Sequence, residues 1–298
     1  MKHTFRKTIG FKIGIILSVF LLFLFLLLGG IFYYIHQQTV EIPKQEWIAD
    51  CNLEIKEIEG RNVYKITPKE LEQGEILLFY VHGGSYLTGI SEDAWKFYQS
   101  LVKDLKCTII IPDYPHLPKY TCQETLFMIK NSYQAIVEQE ENRKVIIMGD
   151  SAGGGLAFSL VQNIAQEQVR VPDKTILISP WLDVSLTNKK IKQVEKKDTV
   201  LHKLPLQWIG KWYAGKEGTK NKIASPLYGE MEELKDVIVY TGTNDIFYPD
   251  IQVLEEKVKE KQIDIQIKKT KDANHNWILS HRQKEVARKR LSTSVRRY

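Results

Sequence analysis

The strongest constraint on how this chain can fold is a junction. The apolar run at residues 144–148 stops at Gly149-Asp150-Ser151-Ala152-Gly153-Gly154-Gly155, and a helix-forming stretch, residues 156–167, follows at once. Val145, Ile146, Ile147 and Met148 suit a strand buried on both faces, as in a parallel sheet. A chain that passes from such a strand into a helix within a few residues presses backbone against backbone, which requires small residues. A serine at the apex of that turn projects its hydroxyl from strained geometry; G-x-S-x-G is the sequence form of this nucleophile elbow. Ser151 is therefore the candidate nucleophile. An ordinary strand–helix turn also gathers small residues, so the surrounding chain must decide between the two readings.

The surrounding chain repeats the pattern. Strand-like runs occur at residues 55–59, 63–67, 76–81, 107–111, 144–148, 175–178, 237–241 and 263–268. Helical stretches at 94–106, 121–140, 156–167 and 250–261 separate the later ones. This alternation predicts an α/β fold: a mostly parallel eight-stranded sheet flanked by helices and opened by an antiparallel pair. Residues 181–225 break the rhythm. They contain no clear strand, and Trp208, Trp212 and Tyr213 recur at helical spacing, so this insertion is expected to form a small helical cap or pocket wall above the strand ends, the alternative being that these aromatics fill the core.

At the other end, residues 13–35 form 23 consecutive uncharged positions, nearly all apolar. At about 1.5 Å per residue a helix of that length reaches roughly 34 Å, enough for a hydrocarbon core of about 30 Å. The run is longer than a secretory h-region and lacks its small-residue cleavage site, so an uncleaved transmembrane signal anchor is expected. Lys2, Arg6, Lys7 and Lys12 precede it, while Glu41 and Glu46 follow, which assigns residues 1–12 to the cytoplasm and the domain to the extracytoplasmic side. Residues 36–54 read as a linker, and 55–298 as the catalytic domain.

The net charge of +6 is concentrated at the termini. Residues 13–280 hold 31 basic and 35 acidic residues, so the body is not a nucleic-acid surface. The basic C-terminal run reads as a solvated helix end, with contact to anionic lipid as the alternative. Cys51, Cys107 and Cys122 permit at most one internal pair, and no Cys/His cluster has metal-ligand spacing. No metal or cofactor is expected. Oligomeric state is not readable.

Chemistry on Ser151 needs a base, an acid to orient it, and donors for an oxyanion. Asp245 follows the strand at 237–241, and His275 follows the last strand, in Asp272-Ala273-Asn274-His275-Asn276-Trp277. Both fall where parallel sheets collect active-site groups, beyond the carboxyl ends of strands. His281 is the rival base and Asp250 the rival acid. Upstream, His82-Gly83-Gly84-Ser85 directly follows the strand at 76–81, and its glycines free backbone amides to face a developing negative charge, together with the amide of Ala152.

With His82-Gly83-Gly84, Asp113-Tyr114, Gly149-Asp150-Ser151-Ala152-Gly153-Gly154, Ser179-Pro180-Trp181-Leu182-Asp183, Asp245 and His275 in place, the chain resembles the hormone-sensitive-lipase-like branch of the α/β-hydrolase superfamily over about residues 55–280. The resemblance implies a serine carboxylic ester hydrolase, acting on short- to medium-chain acyl esters through a Ser151-His275-Asp245 triad. It also implies an oxyanion hole in the loop Gly83, Gly84 and Ser85 with Ala152, His82 being structural. Tyr86, Trp181, Trp208 and Trp212 are candidate pocket residues. Ser85 stands where the family has a third glycine, and Pro115-His116-Leu117-Pro118 replaces its arginine-containing run. A peptidase or amidase of the same fold, and a non-catalytic binding or adhesion module, remain the alternatives.

Overall fold

A computed structural model describes residues 42–70, 75–140, 142–167, 169–279 and 284–296. The basic N-terminus 1–12 and the expected span 13–35 lie outside the described residues; among those described, no helix is long and apolar enough to cross a membrane.

Eight strands form one sheet in the order β1-β2-β4-β3-β5-β6-β7-β8. They are β1 (Cys51–Ile58), β2 (Arg61–Pro68), β3 (Ile76–Val81), β4 (Thr108–Pro112), β5 (Lys144–Asp150), β6 (Lys174–Ile178), β7 (Val237–Gly242) and β8 (Ile265–Thr270). The pairs β1–β2 and β2–β4 are antiparallel, and every other neighbour is parallel. The central strands are apolar without alternation because helices cover both faces. On one face lie α1 (Glu92–Leu105), which contributes Trp95 and Tyr98, and α7 (Lys284–Arg296), over Leu78, Tyr80 and Ile146. On the other lie α2 (Cys122–Val137), α3 (Ser151–Ala165), which contributes Phe158, and α6 (Tyr248–Lys261), over Phe79, Ile147 and Val239. A fully buried Phe contributes enough that Phe158→Ala is expected to cost about 3–5 kcal/mol.

The helix starts are written locally. Ser91 caps α1 by accepting the Ala94 amide at 3.3 Å, and Thr121 with Glu124 forms a capping box on α2. The cap comprises α4 (Ile191–Val194) and α5 (Lys203–Ala214) and lies on the α2/α3 side. All three cysteines are free and buried, and burial above all pushes the Cys107 thiol up to about 12, which leaves it unreactive.

Of the expected linker at 36–54, residues 36–41 lie outside the described residues and the remainder is structured. Gln45–Ile48 forms a 3-10 turn that buries Trp47 and Ile48 beside α1, and β1 begins at Cys51. Apolar burial of Trp47, Ile48 and Cys51 makes residues 45–54 part of the domain.

Candidate active site

The elbow is formed where β5 runs into α3 without an intervening residue. Ser151 sits at φ +54°, in the left-handed region that costs an L-residue about 1–2 kcal/mol. The glycine at 153 explains how the turn is held: a Cβ there would come within 2.2 Å of the Val81 and His82 carbonyl oxygens. Glycine thus lets the elbow lie directly on the end of β3, which carries the next piece of the site.

Ser151, His275 and Asp245 come together from three strand ends. The Ser151 Oγ lies 3.0 Å from His275 Nε2, and His275 Nδ1 lies 3.0 Å from Asp245 Oδ2. A carboxylate only accepts, so Nδ1 carries the hydrogen and Nε2 in the neutral ring presents its lone pair to the serine hydroxyl. Asp245 is fully buried, and its other oxygen accepts the Phe247 amide at 3.0 Å. Burial disfavours the charged imidazole, but the charge and hydrogen bond of Asp245, followed by the charges of Asp198 and Asp150, outweigh it and raise the His275 pKa above its ordinary value. The Phe247 ring stands edge-on to the imidazole at 5.2 Å. The rival acid Asp250 sits instead in the first turn of α6, accepting from Asn188 at 2.9 Å. The rival base His281 lies outside the described residues.

The loop after β3 corrects one expectation. The Gly83 amide donates to Asp150 Oδ1 at 3.1 Å, so it is committed and does not face an oxyanion. Gly84, Ser85 and Tyr86 have φ of +120°, +55° and +61°, and the Gly84 carbonyl accepts from Leu87 and Thr88. This coil leaves the Gly84 and Ser85 amides without an acceptor among the described residues. Serine at 85 adopts the left-handed conformation despite its Cβ. The Ala152 amide lies in the first turn of α3, where helix N–H groups lack intrahelical partners. His82 stacks on Tyr114 at 4.3 Å, its Nδ1 bonds the Gly83 carbonyl at 2.7 Å, and burial is the main cause that lowers its pKa to about 4, so it is neutral.

Three supporting residues escaped the sequence reading. Asp150 accepts from Tyr80, Gly83 and Asn276, which joins β3, the glycine loop and the loop of His275. Asn276 also donates its backbone amide to Ser179 at 3.1 Å. Asp198, in the cap, accepts the Ile246 amide at 2.8 Å and so ties the cap to the Asp245 loop. The first two flank Ser151 and His275 in sequence, which was an available signal. Asp198 carried none.

The four candidate pocket residues fall into two groups. Tyr86 and Trp181 are buried in a ring stack: Tyr213 covers Tyr86 at 3.5 Å, and Trp181 lies 5.6 Å from Tyr86 and 5.4 Å from Phe247. Trp208 and Trp212 turn outward, 59% and 55% exposed. The recess beside the glycine loop, about 230 Å³, is bordered by Tyr80, Gly84, Ile90, Phe97, Asp150 and Asn276. A larger cavity of about 500 Å³ lies at the other ends of β6 and β7, away from Ser151. As for metals, His82, Asp113 and His116 bring donor atoms within 4.8 Å of one another, but the Arg61 guanidinium already pairs with Asp113 at 2.7 Å.

Residues 78–279 match the family described as alpha/beta hydrolase fold. The chain belongs to that family. Among the hydrolase relatives are an esterase of Acinetobacter venetianus, 29% identical over 194 residues that make up 64% of each chain, and an acetyl-hydrolase of Streptomyces hygroscopicus, 22% identical over 68% of this chain and 69% of that one. The match thus spans just under two thirds of the Acinetobacter esterase's length. A solved Staphylococcus aureus structure superposes with a TM-score of 0.80 at 25% identity, covering 87% of this chain and 88% of its own. An esterase of the bacterial hormone-sensitive lipase family shares the fold, with a TM-score of 0.74 at 20% identity over 83% of this chain and 84% of that one.

Proposed function

We propose that this α/β-hydrolase is a serine carboxylic ester hydrolase that cleaves short- to medium-chain acyl esters. The observation that carries the reading is the continuous relay from buried Asp245 through His275 to Ser151, with unengaged amides at Gly84 and Ser85 beside it. In the acylation step Oγ attacks the ester carbonyl carbon while Nε2 takes its proton. The carbonyl oxygen becomes an oxyanion that accepts from Gly84, Ser85 and Ala152; this stabilisation is worth about 2.7–4 kcal/mol per donor. The tetrahedral intermediate collapses, the C–O bond breaks, and the imidazolium returns its proton to the departing alcohol. Water repeats the sequence on the acyl-enzyme and releases the acid. Asp245 holds the ring and stabilises its charged state throughout. The fold's esterase and acetyl-hydrolase relatives support the same chemistry.

Residues 13–35 supply the second part of the proposal, a single-pass anchor with a cytoplasmic N-terminus that holds the domain outside the membrane. Its support is 23 uncharged residues preceded by four basic ones.

The test uses the full chain, assayed on acyl esters of graded length beside peptide amides. Turnover of esters that disappears in Ser151→Ala is expected. Ester turnover that survives the substitution, or turnover confined to amides, overturns the reading. Protease added to intact cells is expected to remove the domain; a protected domain refutes the orientation.

A further inference from the structure

The cap helix α5 has two apolar faces. Leu206, Gly210 and Tyr213 point inward, and a Cβ at Gly210 would come within 2.2 Å of the Val184 carbonyl oxygen, so this face is pressed on the body. Leu204, Trp208 and Trp212, each four residues after the last, form the opposite stripe and are 67%, 59% and 55% exposed. Single exposed apolar residues need no explanation, but two tryptophans and a leucine along one helix face form a continuous apolar stripe of the kind an interfacial helix presents. The charge around the stripe has one sign. Residues 181–225 carry ten lysines and only four carboxylates, Asp183, Glu195, Asp198 and Glu217. Asp183 and Asp198 are buried, while Lys189, Lys190, Lys192, Lys196, Lys197, Lys211, Lys216 and Lys220 are exposed. The rest of the body is net acidic, so the cap is a positive island.

The course of the chain says which way this island faces. Cys51 pairs with Pro68, at the sheet edge opposite the triad. Followed backward from there, Asp50 meets Lys103 near the end of α1, and Trp47 lies under Lys96, about two turns nearer its start. The chain therefore climbs α1 toward the edge that holds the triad and, through the Tyr213–Tyr86 stack, the cap. Seven peptide steps join Ile35 to Ile42, a reach of at most about 25 Å.

We propose that the Leu204-Trp208-Trp212 face of α5, with its surrounding lysines, docks on the headgroup layer of an anionic bilayer. The proposal rests on the anchor read from residues 13–35, which would hold the domain close to that surface. Docking sets the triad edge toward lipid, and the substrates that reach it first are esters partitioned into the interface.

The six tryptophans make the test specific. Trp47, Trp95, Trp181 and Trp277 are buried, and none lies in residues 1–41. The full chain is reconstituted into vesicles of phosphatidylcholine with one part in three phosphatidylglycerol, with and without brominated acyl chains. Bromination is expected to remove up to about a third of the tryptophan emission, the share of two rings in six. In Trp208→Phe/Trp212→Phe, with its thermal midpoint unchanged, that loss is expected to vanish, and in pure phosphatidylcholine it is expected to shrink. A chain that resists alkaline carbonate extraction yet shows no bromine-dependent loss overturns the docking and leaves the anchor standing; this is also the result if residues 13–35 or a second copy covers the stripe. Release by carbonate overturns the anchor and the docking with it. Equal quenching in the double variant overturns the assignment to α5.

Discussion

Replacing Asp150 with alanine removes the acceptor of three donors at once: the buried Tyr80 hydroxyl at 2.9 Å, and the half-buried Gly83 amide at 3.1 Å and Asn276 side-chain amide at 2.9 Å. The tyrosine hydroxyl can rotate, but the other two donors are left without a partner, at about 1–3 kcal/mol each. A loss of about 2–6 kcal/mol follows, and a domain of this size then melts lower by about 5–20 °C. The kinetic effect is separate. Release of Gly83 loosens the coil that aims the Gly84 and Ser85 amides, and the loss of one oxyanion donor costs about 10²–10³ in kcat. Asparagine at 150 behaves differently. Its carbonyl end keeps Tyr80 and Gly83, while its NH₂ end can donate to Asn276 Oδ1, which has no partner among the described residues, once that amide turns over. Asp150→Asn is therefore expected to lose less than about tenfold in kcat. Both variants remove a negative charge that raises the His275 pKa, so the acidic limb of kcat/KM moves to lower pH in each. The assay is steady-state hydrolysis of one short ester across pH, paired with thermal unfolding. An alanine variant within about threefold of the parent in kcat refutes the clamp, since an oxyanion donor is worth far more than that.

Three further outcomes follow from the same geometry. Burial is the main cause that pushes the Asp250 carboxyl up to about 7, so the native state holds a proton that the unfolded chain has released. That group's contribution is present below about pH 4, declines as the pH rises to about 7 and is absent above it; Asp250→Asn should recover about 2–4 kcal/mol at pH 8 and little at pH 4, measured by denaturant unfolding. Gly153→Ala places a Cβ within 2.2 Å of the Val81 and His82 carbonyl oxygens, and at least a hundredfold loss of kcat with a lowered thermal midpoint is expected. Proton uptake by Ser151's base needs neutral His275, so its raised pKa sets activity falling with decreasing pH from a higher point than an ordinary imidazole would set. Asp198→Asn, by removing a charge that supports the imidazolium, should shift that limb downward in a pH–rate profile.

What could be read from the sequence was what neighbouring residues decide among themselves. Val145 to Met148 are apolar without alternation because both faces of β5 are covered, and a one-dimensional run of branched residues records that directly. Gly149 and Gly153 record the contact of the elbow with its own turn and with β3. At 45–54 the sparse apolar signal of Trp47 and Ile48 was too short to show that α1 waits to cover them, and only the fold makes those residues part of the domain.

Two errors show where local pattern stops. Helical spacing predicted that Trp208 and Trp212 share a face, and they do, but spacing does not say which face turns inward; Gly210 against the Val184 backbone and Tyr213 on Tyr86 choose the other side. Likewise the glycine run at 83–84 predicted free amides, while the identity of the free ones depends on a carboxylate 67 residues later in the chain. That carboxylate is Asp150, and its second oxygen reaches Asn276, a further 126 residues along. A buried acceptor left empty costs more than a filled one returns, so such long-range pairs fix which amide is committed and which remains for chemistry. The candidate site is thus specified twice: by motifs that place its parts at one sheet edge, and by a polar hub next to the nucleophile that selects among them.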